Sequence, residues 1–523
     1  MIVPLTPIRC LYRAVDLYPE KVGIVSGDLR FTYSQFAERC ERLAAALTAL
    51  GVRFGDRVAF LSFNTHRLLE GYYGVPMAGA VVMPLNVRLS PLELISILNH
   101  SGSRFLFYEG DFTPLIAKLR EACPCIGKAF RLDNGEYESL LQSAEPERVD
   151  FMQVDENSIA ELFYTSGSTG TPKGVMLSHR TLYLHALSVL ATFGRSETGV
   201  ELHTIPLFHA NGWGRPQVST MRGVKQVMVR RFDPAGVMKL IQDERATSMS
   251  LVPTMACALL NSPALGTFDT STLEDIHIGG AASSPELIAA MERAFKCPVV
   301  AGYGLTETSP IATDARQKST VEYRDEADRL HHLSMAGWPL PGCEVRVVDP
   351  HMNDVPQDSE SVGEVVIRGD LVMDGYYLEP EATKAVMSGA WFHTGDMAVW
   401  DKECYMHIVD RKKDIIISGG ENISSIEVEK AISAHDAVLE CCVVSAPDPV
   451  WGEVPIAFVV IKDNLPLTEA EILAFLKPRL AKFKTPRAFH FRSEALPKTG
   501  TGKILKRQLR EQFWEGKVRR VQG

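Results

Sequence analysis

The residues best equipped for chemistry lie in Tyr164-Thr-Ser-Gly-Ser-Thr-Gly-Thr-Pro-Lys-Gly174, directly after the apolar run Ile159-Ala-Glu-Leu-Phe163. A strand opening into such a loop can offer a phosphate the N–H groups and hydroxyls of Thr165, Ser166, Gly167, Ser168, Thr169 and Gly170. Glycine permits that close backbone approach, and Lys173 adds a compact positive charge. The Walker A order needs lysine directly after its second glycine; here Thr171-Pro172 intervene and Gly174 follows, so the loop is of another kind. Taken alone, the stretch also fits a Ser- and Gly-rich surface turn. A second glycine run, Pro497-Lys-Thr-Gly-Thr-Gly-Lys-Ile-Leu505, carries Lys503 near the C-terminus, and taken alone it too fits a solvent-facing turn.

These loops need elements to hold them. Thr32-Tyr-Ser-Gln35 has capping-box spacing, and Phe36, Leu43, Leu47 and Leu50 share one side of a helix ending at Gly51. A strand over 57–63, a helix over 65–77, a strand over 80–85, and a helix then a strand within 93–107 argue for a parallel, doubly wound sheet. Residues 109–155 are more polar and give no assignment. Beyond the loop come a helix over 178–190 and strands over 227–229, 249–252 and 276–278. Short strands at 345–348 and 363–368 then mark a β-rich subdomain. Asp410-Arg-Lys-Lys-Asp414 is a charged break. After it, a helix over 425–434, strands over 438–444 and 456–461, and a helix over 469–480 make a compact α+β pattern. The fold class is therefore α/β. A large multi-subdomain N-terminal domain (1–410) has doubly wound mixed sheets and the β-rich subdomain; a hinge (411–414) and a small α+β C-terminal domain (415–523) follow.

Composition narrows the function. A chain of 523 residues exceeds one core, and 46% apolar with 23% charged residues is ordinary for a globular protein. A formal charge of −9 argues against a nucleic-acid partner, which would need a basic face. The ten cysteines lack zinc-ligand spacing and read as reduced thiols of a cytoplasmic protein. Neither a signal peptide nor a transmembrane segment is expected, while peripheral membrane contact remains open.

Together with motifs further along, the loop at 164–174 resembles the signature of the adenylate-forming acyl-CoA synthetase family. Gly302-Tyr-Gly-Leu-Thr-Glu307 resembles its second nucleotide motif. The resemblance implies that Tyr303 packs on adenine beside Gly304, Thr306 meets the α-phosphate, and Glu307 with Thr169 holds Mg2+, which needs hard oxygen ligands. Gly279-Gly-Ala-Ala282 resembles the strand end lining adenine and the substrate carboxylate, giving Gly280 and Ala281 those places. Trp391-Phe-His-Thr-Gly-Asp396 resembles the ribose motif, with Asp396 accepting from a vicinal diol and Arg411 beside it. Lys413 matches the pivot about which a mobile tail domain turns, and Lys503 matches the catalytic lysine.

Pro206-Leu-Phe-His-Ala-Asn-Gly-Trp213 resembles the acyl-pocket segment, with His209 at its gate. Trp213 is either a tunnel gate or a floor that shortens the pocket. With no basic residue in this stretch, a dicarboxylate is disfavoured. A medium- or long-chain fatty acid leads, ahead of short, thioether-containing or aryl acids. Gly419, within Ile415-Ile-Ile-Ser-Gly-Gly-Glu-Asn422, and Trp451 match the segments that meet the pantetheine of CoA. The implied reaction uses a small carboxylic acid, ATP, Mg2+ and CoA, in a monomer or homodimer. Delivery of the acyl group to a carrier protein, and a nucleotide-binding regulator without catalysis, are the competing readings.

Overall fold

A computed structural model describes residues 2–165, 172–194, 196–419, 421–462, 465–498 and 504–515. Local signals at the N-terminal end are realised as read. Thr32 Oγ1 accepts the Gln35 N–H at 3.2 Å, Gln35 Oε1 accepts the Thr32 N–H at 2.9 Å, and the helix runs Tyr33–Ala49. Strand Arg57–Leu61 pairs in parallel with both Val81–Pro84 and Phe105–Tyr108, through helices His66–Met77 and Pro91–Ser101. Strand Lys128–Arg131, in the stretch that gave no assignment, extends the same sheet beside Phe105–Tyr108. Only partly buried, it lacks the apolar run that marks an inner strand.

The seven-stranded sheet has the order Gly375–Tyr376, Lys173–Ser178, Ile159–Thr165, Val81–Pro84, Arg57–Leu61, Phe105–Tyr108, Lys128–Arg131. A nine-stranded sheet runs Trp338–Pro339, Thr313–Asp314, Val299–Tyr303, Asp275–Ile278, Ser248–Leu251, Val200–His203, Lys225–Met228, Val22–Ser26, Leu29–Thr32. Its central pairs are parallel and its outer pairs antiparallel, and the seven-stranded sheet also has antiparallel pairs on both sides of Lys173–Ser178, so both sheets are mixed. Val237, Met238 and Ile241 of helix Pro234–Glu244, and Ile288, Met291 and Phe295 of helix Pro285–Phe295, bury against the second sheet. Each such apolar side chain contributes about 1.5–3 kcal/mol relative to exposure.

The expected change near Val345 is present. Strands Cys343–Val348, Gly363–Gly369, Trp391–Trp400 and Met406–Arg411 follow, with only the short helix Pro380–Val386 among them. Contacts group the chain into two units. One comprises Met1–Val345, Ile367–Phe392 and Glu403–Tyr405; the other comprises Arg346–Val366, His393–Lys402 and Met406–Gly523. In the second unit, strands Val438–Asp448 and Gly452–Ile461 pair antiparallel, and Ala488–Arg492 joins in parallel. Cys441 and Val443 face a core with helices Ser425–Ser433 and Glu469–Leu476, whereas Cys442 and Val444 face one containing Leu509. Burial on both faces explains why the stretch Cys441-Cys-Val-Val444 is continuously apolar rather than alternating. All ten cysteines are free thiols.

Candidate active site

The phosphate-loop candidate is the connection of a β-hairpin. Ile159–Thr165 pairs antiparallel with Lys173–Ser178, and the last register pair is Thr165 with Lys173. Ser166, Gly167, Ser168, Thr169 and Gly170 lie outside the described residues, but the mouth that carries them is fixed. Edge strand Gly375–Tyr376 adds to it, and the Tyr377 N–H donates to the Gly174 carbonyl at 2.7 Å. A β-carbon at Gly174 would stand 3.1–3.2 Å from Leu162, Tyr164 and Tyr377, so glycine is what lets these layers meet. Lys173 Nζ lies 4.7 Å from the centroid of the Tyr376 ring, and the Tyr376 hydroxyl donates to Glu307 Oε1 at 2.9 Å. One tyrosine thus joins Lys173, the candidate phosphate-binding lysine, to the candidate metal carboxylate. The sequence reading missed Tyr376.

In the nine-stranded sheet the neighbouring strands Asp275–Ile278 and Val299–Tyr303 end side by side, the place where parallel sheets receive ligands. Gly279, Gly280 and Ala281 follow the first; Gly304 follows the second. A β-carbon on Gly304 would lie 1.8 Å from the Pro310 carbonyl oxygen, which admits no side chain. Gly280 has φ +77°, and β-carbons on Gly279 and Gly280 would stand 3.2–3.3 Å from the Trp213 indole. Thr306 opens the single turn Thr306–Thr308, where the Leu305 N–H donates to Thr308 Oγ1 at 3.0 Å. The Glu307 carbonyl accepts the Met373 N–H at 2.8 Å. Tyr303 is half-buried beside this turn.

The acyl-side segment has an unusual backbone. His209, half-buried, caps the helical stretch Ala210–Arg222, but Ala210, Asn211, Gly212, Trp213 and Gly214 have φ of 40°, 48°, 51°, 63° and 70°. A left-handed residue bearing a β-carbon costs roughly 1–2 kcal/mol, less for asparagine, so contacts elsewhere must hold this turn. Trp213 is buried with its ring against the Gly279-Gly280 strand end. That places the gate-or-floor tryptophan beside the residues that the motifs assign to the substrate carboxylate.

In the second unit Asp396 and Arg411 are register partners, and Arg411 Nε lies 2.5 Å from Asp396 Oδ1. The Asp396 side chain is buried, and its N–H donates to Thr394 Oγ1 at 3.0 Å. The Lys413 carbonyl accepts from Arg510 Nη1 at 2.9 Å, and the same nitrogen lies 2.8 Å from Asp414 Oδ1. Gly419 has φ +60° and donates its N–H to the Trp451 carbonyl at 2.8 Å. A β-carbon there would come within 2.6 Å of the Trp451 ring. The two pantetheine candidates therefore touch each other. Lys503 lies outside the described residues; Lys498 and Ile504, which flank its loop, form an antiparallel bridge.

Among the described residues no group of three His, Cys, Asp or Glu side chains gathers to hold a metal. A lone carboxylate such as Glu307 suits Mg2+ that takes most of its ligands from phosphate and water. No described helix is long and apolar enough to cross a membrane.

Residues 11–377 match the family model "AMP-binding enzyme", and residues 427–503 match "AMP-binding enzyme C-terminal domain". A long-chain-fatty-acid–CoA ligase of Thermus thermophilus is 40% identical over 96% of this chain and 94% of its own length. A feruloyl-CoA synthase of Amycolatopsis is 37% identical over 96% and 98% of the two chains. Among solved structures, ATP-bound MatB of Rhodopseudomonas palustris superposes with a TM-score of 0.87 at 27% identity, covering 98% of this chain and 99% of that one.

Proposed function

The chain belongs to the AMP-binding enzyme family and is an acid–thiol ligase; on that premise we propose that it joins a medium- or long-chain fatty acid to CoA. Acid and ATP first give acyl-AMP and pyrophosphate, and the CoA thiol then displaces AMP. The observation that carries the reading is the convergence of Lys173 and Glu307 on Tyr376 at the mouth of the phosphate-loop hairpin. This pairs a cation for phosphate with an oxygen ligand for Mg2+, which would neutralise phosphate charge when bound. In this reading Thr165 to Gly170 cradle the phosphates and Thr169 joins Glu307 at the metal. Tyr303 and Gly304 receive adenine, Thr306 meets the α-phosphate, and Asp396 with Arg411 receives the ribose.

Gly280 and Ala281 border the carboxylate, while His209 and Trp213 wall the acid. The apolar bulk of Trp213 favours a hydrocarbon chain over a second carboxylate, and the fatty-acid relative supports the same choice. Lys503 would stabilise the charge that builds as pyrophosphate leaves. Gly419 and Trp451 then border pantetheine once the tail has turned about Lys413. We place the enzyme in the cytoplasm, as a monomer or homodimer. Pyrophosphate–ATP exchange with acids from acetate to palmitate and one aryl acid tests the reading, followed by CoA-dependent AMP release. Best exchange with the aryl acid would overturn the fatty-acid assignment; exchange without CoA-dependent AMP release would overturn CoA as acceptor.

A further inference from the structure

A buried carboxyl outside all of these roles holds the left-handed turn. Glu161 lies within strand Ile159–Thr165 and is 1% exposed. Asn211 Nδ2 donates to its Oε1 at 3.1 Å, and Gln217 Nε2 donates to the same oxygen at 2.9 Å. Both amides are 2% exposed. Burial raises the carboxyl to about 8 while the two amides pull it down, and the described residues bring it no cation. The amide oxygens, Asn211 Oδ1 and Gln217 Oε1, are buried without a partner among the described residues. A neutral Glu161 can donate to either amide that turns over; an ionised one accepts from both.

This contact links the two sheets. Glu161 pairs with Leu177 and Val82 in the seven-stranded sheet, whereas the turn follows strand Val200–His203 of the other. Asn64 makes a parallel link, donating to the His203 and Ile205 carbonyls at 3.0 and 2.9 Å and accepting the Leu207 N–H at 2.7 Å. The turn is thus tied just before and just after His209, and Trp213 lies in sequence between the two amides that hold Glu161.

We propose that Glu161 is a positioning residue for acid selection: through Asn211 and Gln217 it fixes how far Trp213 covers the Gly279-Gly280 strand end, and so the chain length accepted. The inference rests on the ligase reading above. The nucleotide side has its own anchor, since Thr165 is held by its pairing with Lys173.

The test compares wild type, Glu161→Leu, Glu161→Gln and Asn211→Gly in pyrophosphate–ATP exchange over saturated acids from butanoate to palmitate. Glu161→Leu should raise KM for the preferred acid about tenfold and shift the preferred length, with KM for ATP within about twofold. Glu161→Gln, which can donate to one amide and accept from the other, should restore the wild-type profile. Asn211→Gly keeps a residue that tolerates positive φ but removes the amide, so it should reproduce the Glu161→Leu shift even if that variant folds poorly. An unchanged length profile in both Glu161→Leu and Asn211→Gly would overturn the inference, as would equal rises in both KM values. Failure of the wild type to exchange with any acid would instead defeat the ligase reading, and the inference with it.

Discussion

The Tyr376 hydroxyl donates to Glu307 Oε1 at 2.9 Å while the same ring faces Lys173 Nζ at 4.7 Å. The tyrosine therefore touches both side chains, one through its hydroxyl and the other through its ring. Tyr376→Phe keeps the ring beside Lys173 but removes the hydrogen bond to Glu307. A hydrogen bond to a charged group contributes about 1.5–3 kcal/mol, and partial exposure lowers it, so roughly a tenfold loss in exchange is expected. Tyr376→Leu, which also removes the ring, should lose more, because an ammonium–ring contact adds about 0.5–2 kcal/mol. Equal activity of the Phe and Leu variants would show that the ring does nothing for Lys173.

Division of labour is tested at Lys503. Lys503→Ala should reduce acyl-AMP formation by roughly a hundredfold or more, the equivalent of about 3 kcal/mol of transition-state stabilisation. Thioester formation from supplied acyl-AMP should be largely intact. Equal losses in the two half-reactions would sink the assignment.

Gly419→Leu tests the acceptor side. Its φ of +60° disfavours a side chain, and a β-carbon there would lie 2.6 Å from the Trp451 ring, so the leucine must displace that ring. Thioester formation should fall by about tenfold or more, roughly 1.4 kcal/mol, with exchange near wild type. Loss of both steps together would assign the glycine to folding of the tail.

At the proposed pivot, Arg510 donates to the Lys413 carbonyl and the Asp414 carboxylate. Lys413→Pro fixes φ near about −65° and removes a backbone donor. This variant should keep one half-reaction and lose most of the other, measured separately. Unchanged rates in both would put the pivot elsewhere.

Stability should depend on pH through Glu161. Its carboxyl rises from an ordinary 4.5 to about 8 in the folded protein. The folded state therefore binds the extra proton between those values, and stability falls as pH climbs through that window. Glu161→Gln carries no such charge, so its melting temperature should gain on the wild type between pH 5 and 8. A constant difference over that range would mean that the carboxyl titrates normally. Buried His185, lowered to about 3, acts at the other end: the unfolded state binds the proton first, so stability falls as pH drops below the ordinary 6.5.

Legibility in the sequence followed the range of the interaction. The Thr32–Gln35 capping box and the strands around Arg57 and Val81 are local patterns, and they were readable. Lys128–Arg131 escaped because an edge strand needs no apolar run. Tyr376 escaped because its place depends on strand Gly375–Tyr376 joining Lys173–Ser178 from far along the chain. Glu161 left a faint signal, a lone carboxylate in an otherwise apolar strand, but its partners Asn211 and Gln217 come from another sheet's connection. Asn211, Gly212 and Gly214 tolerate positive φ, yet Ala210 and Trp213 do not announce it. Loop residues 166–170 and Lys503 remain readings of the sequence.

For anyone wishing to retune the acid range, the turn at 210–214 is poor ground for randomised libraries. Its φ values exclude β-branched residues and penalise most others, so many variants would fail for reasons of backbone rather than selectivity. Val252 offers a better handle. Its Cγ1 stands 3.3 Å from a β-carbon placed on Gly280, as the Trp213 ring does, yet its own φ of −88° and ψ of 157° suit any residue. Exchanges there should reshape the same wall while leaving the turn untouched.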